Sequence, residues 1–99
     1  MTETEFYESL WDRSRLLFTN EHRVKLRRAT VAISGLGGVG CIIAEILVRS
    51  GIVHLKLADP GVYAPSDLNR QLYATTKTLG QNKAEVSKGR ILEINPYCK

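Results

Sequence analysis

Three glycines at a fixed spacing form the first candidate site in this sequence. They lie in the stretch ISGLGGVGC, where Gly35, Gly37 and Gly40 fit the pattern G-x-G-x-x-G and Gly38 adds a fourth glycine. The first glycine of this pattern permits a tight turn, the second lets a phosphate approach the backbone, and the third lets a helix pack closely on a strand. The N–H groups at the start of that helix attract an anion. The spacing therefore predicts a phosphate-binding turn.

Asp59 is the candidate ligand for a ribose. It follows Gly40 at about the 20-residue distance typical of nucleotide-binding units, where a carboxylate can accept hydrogen bonds from ribose hydroxyls. A glycine turn that serves packing alone is the alternative, and the combination of strand, helix and acid disfavours it. These features by themselves would indicate NAD or FAD and an oxidoreductase.

Cations downstream of Asp59 favour a triphosphate instead. The stretches SDLNRQ and GQNKAE contain four polar residues of interest, which are Asn69, Arg70, Gln71 and Lys83. An arginine and a lysine together suit phosphoryl or nucleotidyl transfer, because they stabilise charge as it develops on phosphate. Each has an ordinary alternative when taken singly. Arg70 could pair with Asp67 on the surface, and Lys83 could be a solvated helix residue.

A strand, a turn, a helix and a second strand must position these residues. Thr30–Ser34 is short and β-branched, which predicts a parallel strand buried on both faces. Val39–Arg49 is mostly apolar and predicts a buried crossover helix that ends at Gly51. Val53–Ala58 predicts the second strand. This order predicts an α/β fold, a Rossmann-like parallel βαβ unit within an incomplete doubly wound sheet.

Further helices are predicted on both sides of this unit. Glu5–Phe18 has apolar residues at three- and four-residue steps and predicts an amphipathic helix. Asn20–Arg28 predicts a second helix with Asn20 as its N-cap. Residues 59–82 predict mostly loop or short helix, and Asn82–Ile94 predicts a helix that stops before a proline. Residues 1–28 thus form a helical N-terminal arm, and residues 30–99 form a βαβα core.

Length and composition limit the remaining possibilities. The 99-residue chain is 43% hydrophobic and 24% charged, which predicts one small domain or part of one. Two parallel strands leave edges and faces uncovered, which favours the N-terminal part of a longer domain. The net charge of +4 is slight and argues against a nucleic-acid patch. Two cysteines, no signal peptide and no apolar run of about 20 residues predict a cytoplasmic protein without membrane contact.

The motifs together resemble a known family. GLGGVG, LADPGV, SDLNRQ, LGQNKAE and INP occur in the order, and close to the spacing, found in the adenylating domain of the ThiF, MoeB and ubiquitin-activating enzymes. GGVG and RSRLLF are similar to the branch that includes the tRNA threonylcarbamoyladenosine dehydratases. The resemblance covers Arg13 to Lys99, and only about the first half of the family's domain.

The resemblance implies that ATP activates a carboxylate. The carboxylate, from a ubiquitin-like or sulfur-carrier protein or from a modified tRNA base, would attack the α-phosphate of Mg-ATP and release pyrophosphate. By match of motif, the four glycines would line the phosphates and Asp59 would hold the ribose. Asn69, Arg70 and Gln71 would flank the triphosphate, and Lys83 would stabilise charge at the α-phosphate.

The resemblance also implies a homodimer. Arg13 lies where the family has an arginine that is supplied to the ATP of the partner subunit, and Arg15 is the runner-up for that role. The family's magnesium-binding aspartate lies beyond Lys99, so no metal ligand is expected in this chain.

Two residues depart from the family pattern. Gly61 replaces a second acid after the ribose aspartate, and Asp67 replaces an asparagine. A carboxylate near phosphates repels them unless a cation lies between, so weaker nucleotide binding is expected. An NAD(P)- or FAD-binding oxidoreductase fragment and a non-catalytic ThiF-like interaction module therefore stay as alternatives, and the chain by itself is not expected to catalyse.

Overall fold

Short helices and strands follow one another along the chain, and all residues 1–99 are described by a computed structural model. In chain order they are helix α1 (Glu3–Leu10), a 3-10 turn (Asp12–Ser14), helix α2 (Asn20–Arg28), strand β1 (Thr30–Ser34), helix α3 (Gly40–Arg49), strand β2 (His54–Ala58), a second 3-10 turn (Pro65–Asp67) and helix α4 (Lys83–Ile94). None of these helices has the length and apolar character needed to span a membrane.

The two strands form a parallel pair joined by a crossover helix. Thr30 of β1 lies opposite His54 of β2, and Ser34 lies opposite Ala58. Helix α3 makes the crossover and ends before Gly51, which has a φ of 103°. The predicted Rossmann-like βαβ unit is confirmed.

The core lies on one face of this sheet. Ile33 packs with Leu36, Ala44 and Val48 of the turn and α3, and with Ile91 of α4. The side chains that alternate with the core residues of β1, at Thr30, Ala32 and Ser34, are exposed. The expectation that β1 is buried on both faces is therefore wrong, because α3 and α4 both pack on the same face.

The backbone after α4 returns to the outer edge of β2. The Lys99 N–H donates to the Val53 carbonyl at 2.8 Å, and the Leu55 N–H donates to the Lys99 carbonyl at 3.1 Å. These two bonds have the pattern of a parallel ladder. Lys99 thus occupies the position of a third strand, in the order β1, β2, third strand.

The N-terminal arm is not one helix. The predicted helix over Glu5–Phe18 is wrong, because α1 ends at Leu10 and a 3-10 turn follows. Trp11 ends α1: its side chain is buried, and its indole N–H donates to the Ser50 carbonyl at the end of α3 at 3.0 Å. This anchor holds the arm against the core, and the Asp and Ser that follow have low helix propensity.

Thr19, and not Asn20, caps α2. The Thr19 hydroxyl accepts a hydrogen bond from the His22 N–H at 3.2 Å, and His22 Nδ1 accepts one from the Thr19 N–H at 3.3 Å. Thr19 has the extended backbone that an N-cap requires, whereas Asn20 is already helical. The predicted N-cap is therefore one residue too late.

Candidate functional site

The glycine turn connects β1 to α3. Its glycines differ in whether the backbone itself requires a residue without a side chain. Gly35 has a φ of 92°, and a Cβ on Gly40 would overlap the Gly35 carbonyl oxygen. These two glycines are required by the backbone itself. A Cβ on Gly37 or Gly38 would meet its nearest neighbours, the Gln71 amide and the Arg70 carbonyl, only at 3.5 Å. Nothing within the protein requires glycine at 37 and 38, and both positions are partly exposed.

Asp59 ties the end of β2 to this turn. Its Oδ2 accepts a hydrogen bond from the Leu36 N–H at 2.7 Å, and its Oδ1 accepts one from the Gly61 N–H at 2.8 Å. The bond from Leu36, then that from Gly61, and to a lesser degree the charge of Lys83 hold the pKa of Asp59 below its usual value. The ionised carboxylate has further lone pairs, which can accept hydrogen bonds from ribose hydroxyls.

Backbone pairing brings Lys83 beside Asp59. The Lys83 N–H donates to the Gly61 carbonyl and the Tyr63 N–H to the Gln81 carbonyl, both at 3.0 Å. A Cβ on Gly61 would lie 3.0 Å from Asp59 Oδ1 and 3.5 Å from Lys83 Cε. The Lys83 side chain is only 15% exposed, so it is not a solvated helix residue. Gly61, the first departure from the family pattern, leaves room for this lysine.

Asp67 connects the remaining polar residues. Its Oδ2 accepts a hydrogen bond from the Ala64 N–H at 2.9 Å, and its Oδ1 accepts one from Gln71 Nε2 at 3.0 Å. Lys83 Nζ lies 3.7 Å from Oδ2, and Arg70 Nη2 lies 3.7 Å from Oδ1. One carboxylate thus contacts Gln71, Lys83 and Arg70.

Arg70 and Asn69 lie at the exposed rim. The Arg70 side chain is 60% exposed, and its guanidinium donates to the Ser66 carbonyl at 2.9 Å and to Asn69 Oδ1 at 3.1 Å. Its backbone carbonyl faces Gly38. The surface pair with Asp67 is present, yet the same arginine borders the glycine turn.

Arg13 lies away from this site. It is an exposed residue of the first 3-10 turn, two residues after Trp11. The Trp11 indole N–H donates a hydrogen bond to the Ser50 carbonyl at the C-terminal end of α3. The glycine turn lies at the other end of α3, a helix about 15 Å long. Arg13 therefore does not reach the site of its own chain, and Arg15 is paired with Asp12 at 3.0 Å.

Two features of the site were missed by sequence reasoning. The Lys83 ammonium lies 5.7 Å from the centre of the buried Tyr63 ring, and no local pattern indicates this contact. The central position of Asp67 could have been inferred from its spacing to Arg70 and Gln71, three and four residues later, which is typical of one helical turn.

The chain has no group of three or more His, Cys, Asp or Glu side chains that could hold a metal ion.

Comparison with known proteins identifies the family. A model described as the ThiF family matches residues 11–99. The chain belongs to the ThiF family. This ThiF-family chain is 40% identical over 89 residues to tRNA threonylcarbamoyladenosine dehydratase of Bacillus subtilis (strain 168), a match that covers 90% of the chain and 35% of that protein. It is 34% identical over 96 residues to ubiquitin-like modifier-activating enzyme 1 of Mus musculus, a match that covers 97% of the chain and 9% of that protein.

Solved structures agree with this assignment. The structure of E. coli tRNA N6-threonylcarbamoyladenosine dehydratase matches the ThiF-family chain with a TM-score of 0.92 and 30% identity, covering 100% of the chain and 41% of that protein. The same E. coli protein has been solved in complex with AMP and with ATP. The chain thus spans well under half the length of these relatives, and the resemblance of its motifs to the N-terminal part of a ThiF-type domain is confirmed.

Proposed function

We propose that this chain is the nucleotide-binding part of an ATP-dependent adenylating enzyme. In the proposed reaction a carboxylate oxygen attacks the α-phosphorus of ATP. The bond between that phosphorus and the oxygen bridging to the β-phosphate breaks, which gives an acyl-adenylate and pyrophosphate. The chain's residues bind the nucleotide and stabilise the charge that develops on the phosphates.

The observation that carries this proposal is the position of Lys83. Its side chain lies against Gly61, beside Asp59, and its ammonium is 3.7 Å from Asp67. An ammonium next to a ribose-binding carboxylate suits the α-phosphate, which is attached to the ribose. Gly37 and Gly38 are partly exposed and are not required as glycines by the backbone, which fits the phosphates that follow, whereas Gly35 and Gly40 shape the turn.

Gln71, Asn69 and Arg70 complete the proposed triphosphate site. The Gln71 side chain lies alongside Gly37, and its Oε1 is buried without a hydrogen-bond partner. Arg70 can turn from its exposed contacts toward a phosphate, because long exposed side chains change rotamer easily. Asn69 accepts a hydrogen bond from Arg70 and orients it.

Residues 1–99 contain no group of three or more His, Cys, Asp or Glu side chains that could hold a magnesium ion. When bound with ATP, magnesium would neutralise phosphate charge and stabilise the pyrophosphate leaving group.

The proposed carboxylate belongs to a modified tRNA base. The chain is 40% identical to the Bacillus subtilis dehydratase and 34% identical to the mouse ubiquitin-like modifier-activating enzyme 1. This difference favours a tRNA as the substrate over a ubiquitin-like or sulfur-carrier protein. We further infer a homodimer in which Arg13 reaches the ATP of the partner subunit. A cytoplasmic location fits both free cysteines and the substrates.

Nucleotide binding is tested by calorimetric titration of the chain with Mg-ATP and, separately, with NAD. We expect preference for ATP, and preference for NAD would overturn the proposal in favour of an oxidoreductase fragment. The Gly38→Ala variant is expected to fold normally, because the added Cβ makes only ordinary contacts. Its ATP affinity should fall at least about tenfold, since the methyl group would occupy the space of a phosphate.

A matched control is Gly89→Ala in α4, where a Cβ meets nothing within 4 Å. This variant should bind ATP as the unmodified chain does. Equal ATP affinity of Gly38→Ala and Gly89→Ala would contradict phosphate binding at the turn.

The substrate is tested by exchange of labelled pyrophosphate into ATP, in a protein that carries this chain as the N-terminal part of a complete ThiF-type domain. We expect exchange with tRNA that carries threonylcarbamoyladenosine and none with a sulfur-carrier protein. The opposite result would change the substrate class. ATP binding without exchange on either substrate would favour a non-catalytic ThiF-like interaction module.

A further inference from the structure

Asp67 is a buried carboxylate in the candidate site that the proposed reaction does not use. Its side chain is 11% exposed and lies 3.7 Å from both the Lys83 ammonium and the Arg70 guanidinium. Together with Asp59, these four side chains carry two negative and two positive charges. The site offered to a polyphosphate is therefore neutral, although both of its proposed phosphate ligands are cations.

We propose that Asp67 is a positioning residue that holds Lys83 and Arg70 in place and, by its charge, weakens the binding of polyphosphates in proportion to their charge. The proposal rests on the function proposed above. Asp67 sets how strongly the site favours a nucleoside triphosphate over a monophosphate.

Hydrogen bonds fix the carboxylate where it repels a phosphate. The Ala64 N–H and the Gln71 amide bind its two oxygens at 2.9 and 3.0 Å, so the side chain cannot swing away when an anion enters. A phosphate that approaches Lys83 must share this cation with Asp67. The repulsion between the two anions persists in the complex and increases with the number of phosphate charges near Arg70.

An asparagine can replace Asp67 and keep its hydrogen bonds to Ala64 and Gln71. The amide has nearly the same shape, and its oxygen can accept the Ala64 N–H. Gln71 Oε1 is buried and has no hydrogen-bond partner, so a half-turn of the Gln71 amide would let this oxygen accept from the amino group of the introduced asparagine. Asp67→Asn therefore removes the charge and keeps these two hydrogen bonds.

The test compares the affinities of ATP and AMP for the unmodified chain and for Asp67→Asn in metal-free buffer. The affinities are measured by following the backbone amide signals of Gly37 and Gly38 in an NMR titration. We expect ATP to bind about five- to tenfold more tightly to Asp67→Asn, the effect of removing one like charge at roughly 6 Å in a partly solvated site. The gain for AMP should be only about two- to threefold, because AMP carries about half the charge and so gains about half the free energy.

The outcomes separate this inference from the proposed function. If the unmodified chain binds ATP but Asp67→Asn shows no gain, a loss, or equal gains for ATP and AMP, the inference fails alone. If neither nucleotide binds to either protein, both fail. Asp67→Ala is the structural comparison: it leaves Ala64 and Gln71 without their acceptor, so its thermal midpoint should fall while that of Asp67→Asn is retained.

Discussion

Single residues of the site stabilise the protein before any ligand binds. Asp59 accepts hydrogen bonds from the Leu36 and Gly61 N–H groups, and Asp67 does the same for Ala64. Each carboxylate thereby replaces water at a backbone group of a turn that no secondary structure satisfies. The residues proposed to bind the nucleotide also define the shape of its site.

The stability of the chain should depend on the charge of Asp59. Its folded-state pKa lies below the ordinary value, so its contribution is present above about pH 4 and is lost as the pH falls further. Asp59→Asn should lower the free energy of unfolding at pH 7 by about 1–2 kcal/mol and flatten its fall below pH 4. Urea unfolding of both proteins at about pH 7, 5 and 3.5 measures the free energy of unfolding and its pH dependence. An Asn variant with as steep a decline as the parent would contradict the assignment.

Glu45 contributes to the same acid-induced loss. Burial opposes its ionisation, but hydrogen bonds from Arg90 and Tyr73 and the charges of Arg90 and Arg49 outweigh that and lower its pKa. The free energy of unfolding of the Asp59→Asn variant should therefore still fall to some extent at low pH.

Gly40 should not tolerate a side chain. A Cβ there would overlap the Gly35 carbonyl oxygen, so Gly40→Ala must displace the turn and should lower the free energy of unfolding by roughly 3 kcal/mol or more. Gly89→Ala is the comparison, and it should raise stability by up to about 1 kcal/mol because its Cβ meets open space in a helix. Thermal unfolding of the two variants distinguishes a steric demand from general helix propensity.

Among the secondary-structure elements, two long-range contacts define the architecture. The segment 61–63 pairs with 80–83, which delivers Lys83 to the end of β2. The arm is joined to the opposite end of α3 by Trp11, whose indole ring occupies the space next to Gly51. Neither contact belongs to the βαβ unit, yet they determine which residues meet at each end of the sheet.

The Trp11 contact should contribute to the arm's attachment, together with Tyr7, whose hydroxyl accepts a hydrogen bond from Asn95 at 3.0 Å. Trp11→Phe keeps an aromatic ring but loses the hydrogen bond to Ser50, and it should cost about 1–2 kcal/mol of unfolding free energy. Trp11→Ala should cost about 3–5 kcal/mol, since it also leaves a cavity. Urea unfolding measures both, with Glu8→Ala on the exposed face of α1 as a control expected within about 0.5 kcal/mol of the parent. Equal effects of the three changes would mean that the arm is held elsewhere.

Across the molecule as a whole, several large apolar side chains are exposed, and two groups of them lie at neighbouring positions. The first group, Leu16 and Leu17, lies at the end of the arm. The second group follows α3 from its N-cap and consists of Val39, Ile42, Ile43 and Ile46. Exposed apolar residues spaced three and four apart on one helix form a continuous stripe. Together with Arg13 at the end of α3 opposite the glycine turn, this arrangement favours the proposed homodimer.

The homodimer predicts complementation between two defective chains. Arg13→Ala lacks the residue given to the partner, and Lys83→Ala lacks its own phosphate ligand, so neither should bind ATP well. In a mixture, heterodimers keep one complete site, and about a quarter of all sites should recover ATP binding if subunits exchange at random. Titration calorimetry with sedimentation analysis measures this. No recovery in a mixture of demonstrated dimers would contradict the role of Arg13, and the same test with Arg15→Ala examines the runner-up.

Residue types and their spacing were sufficient to predict the order of strand, glycine turn, helix and strand, and the place of Asp59 at the end of β2. These features depend on local requirements, such as a positive φ at Gly35 and an apolar pattern along α3, which the residue types carry directly. The folded structure was needed to show that Lys83 lies between Asp59 and Asp67, and that α1 stops at Trp11. Those arrangements depend on backbone hydrogen bonds and ring contacts between distant segments, and such contacts leave no periodic pattern in the residues that make them.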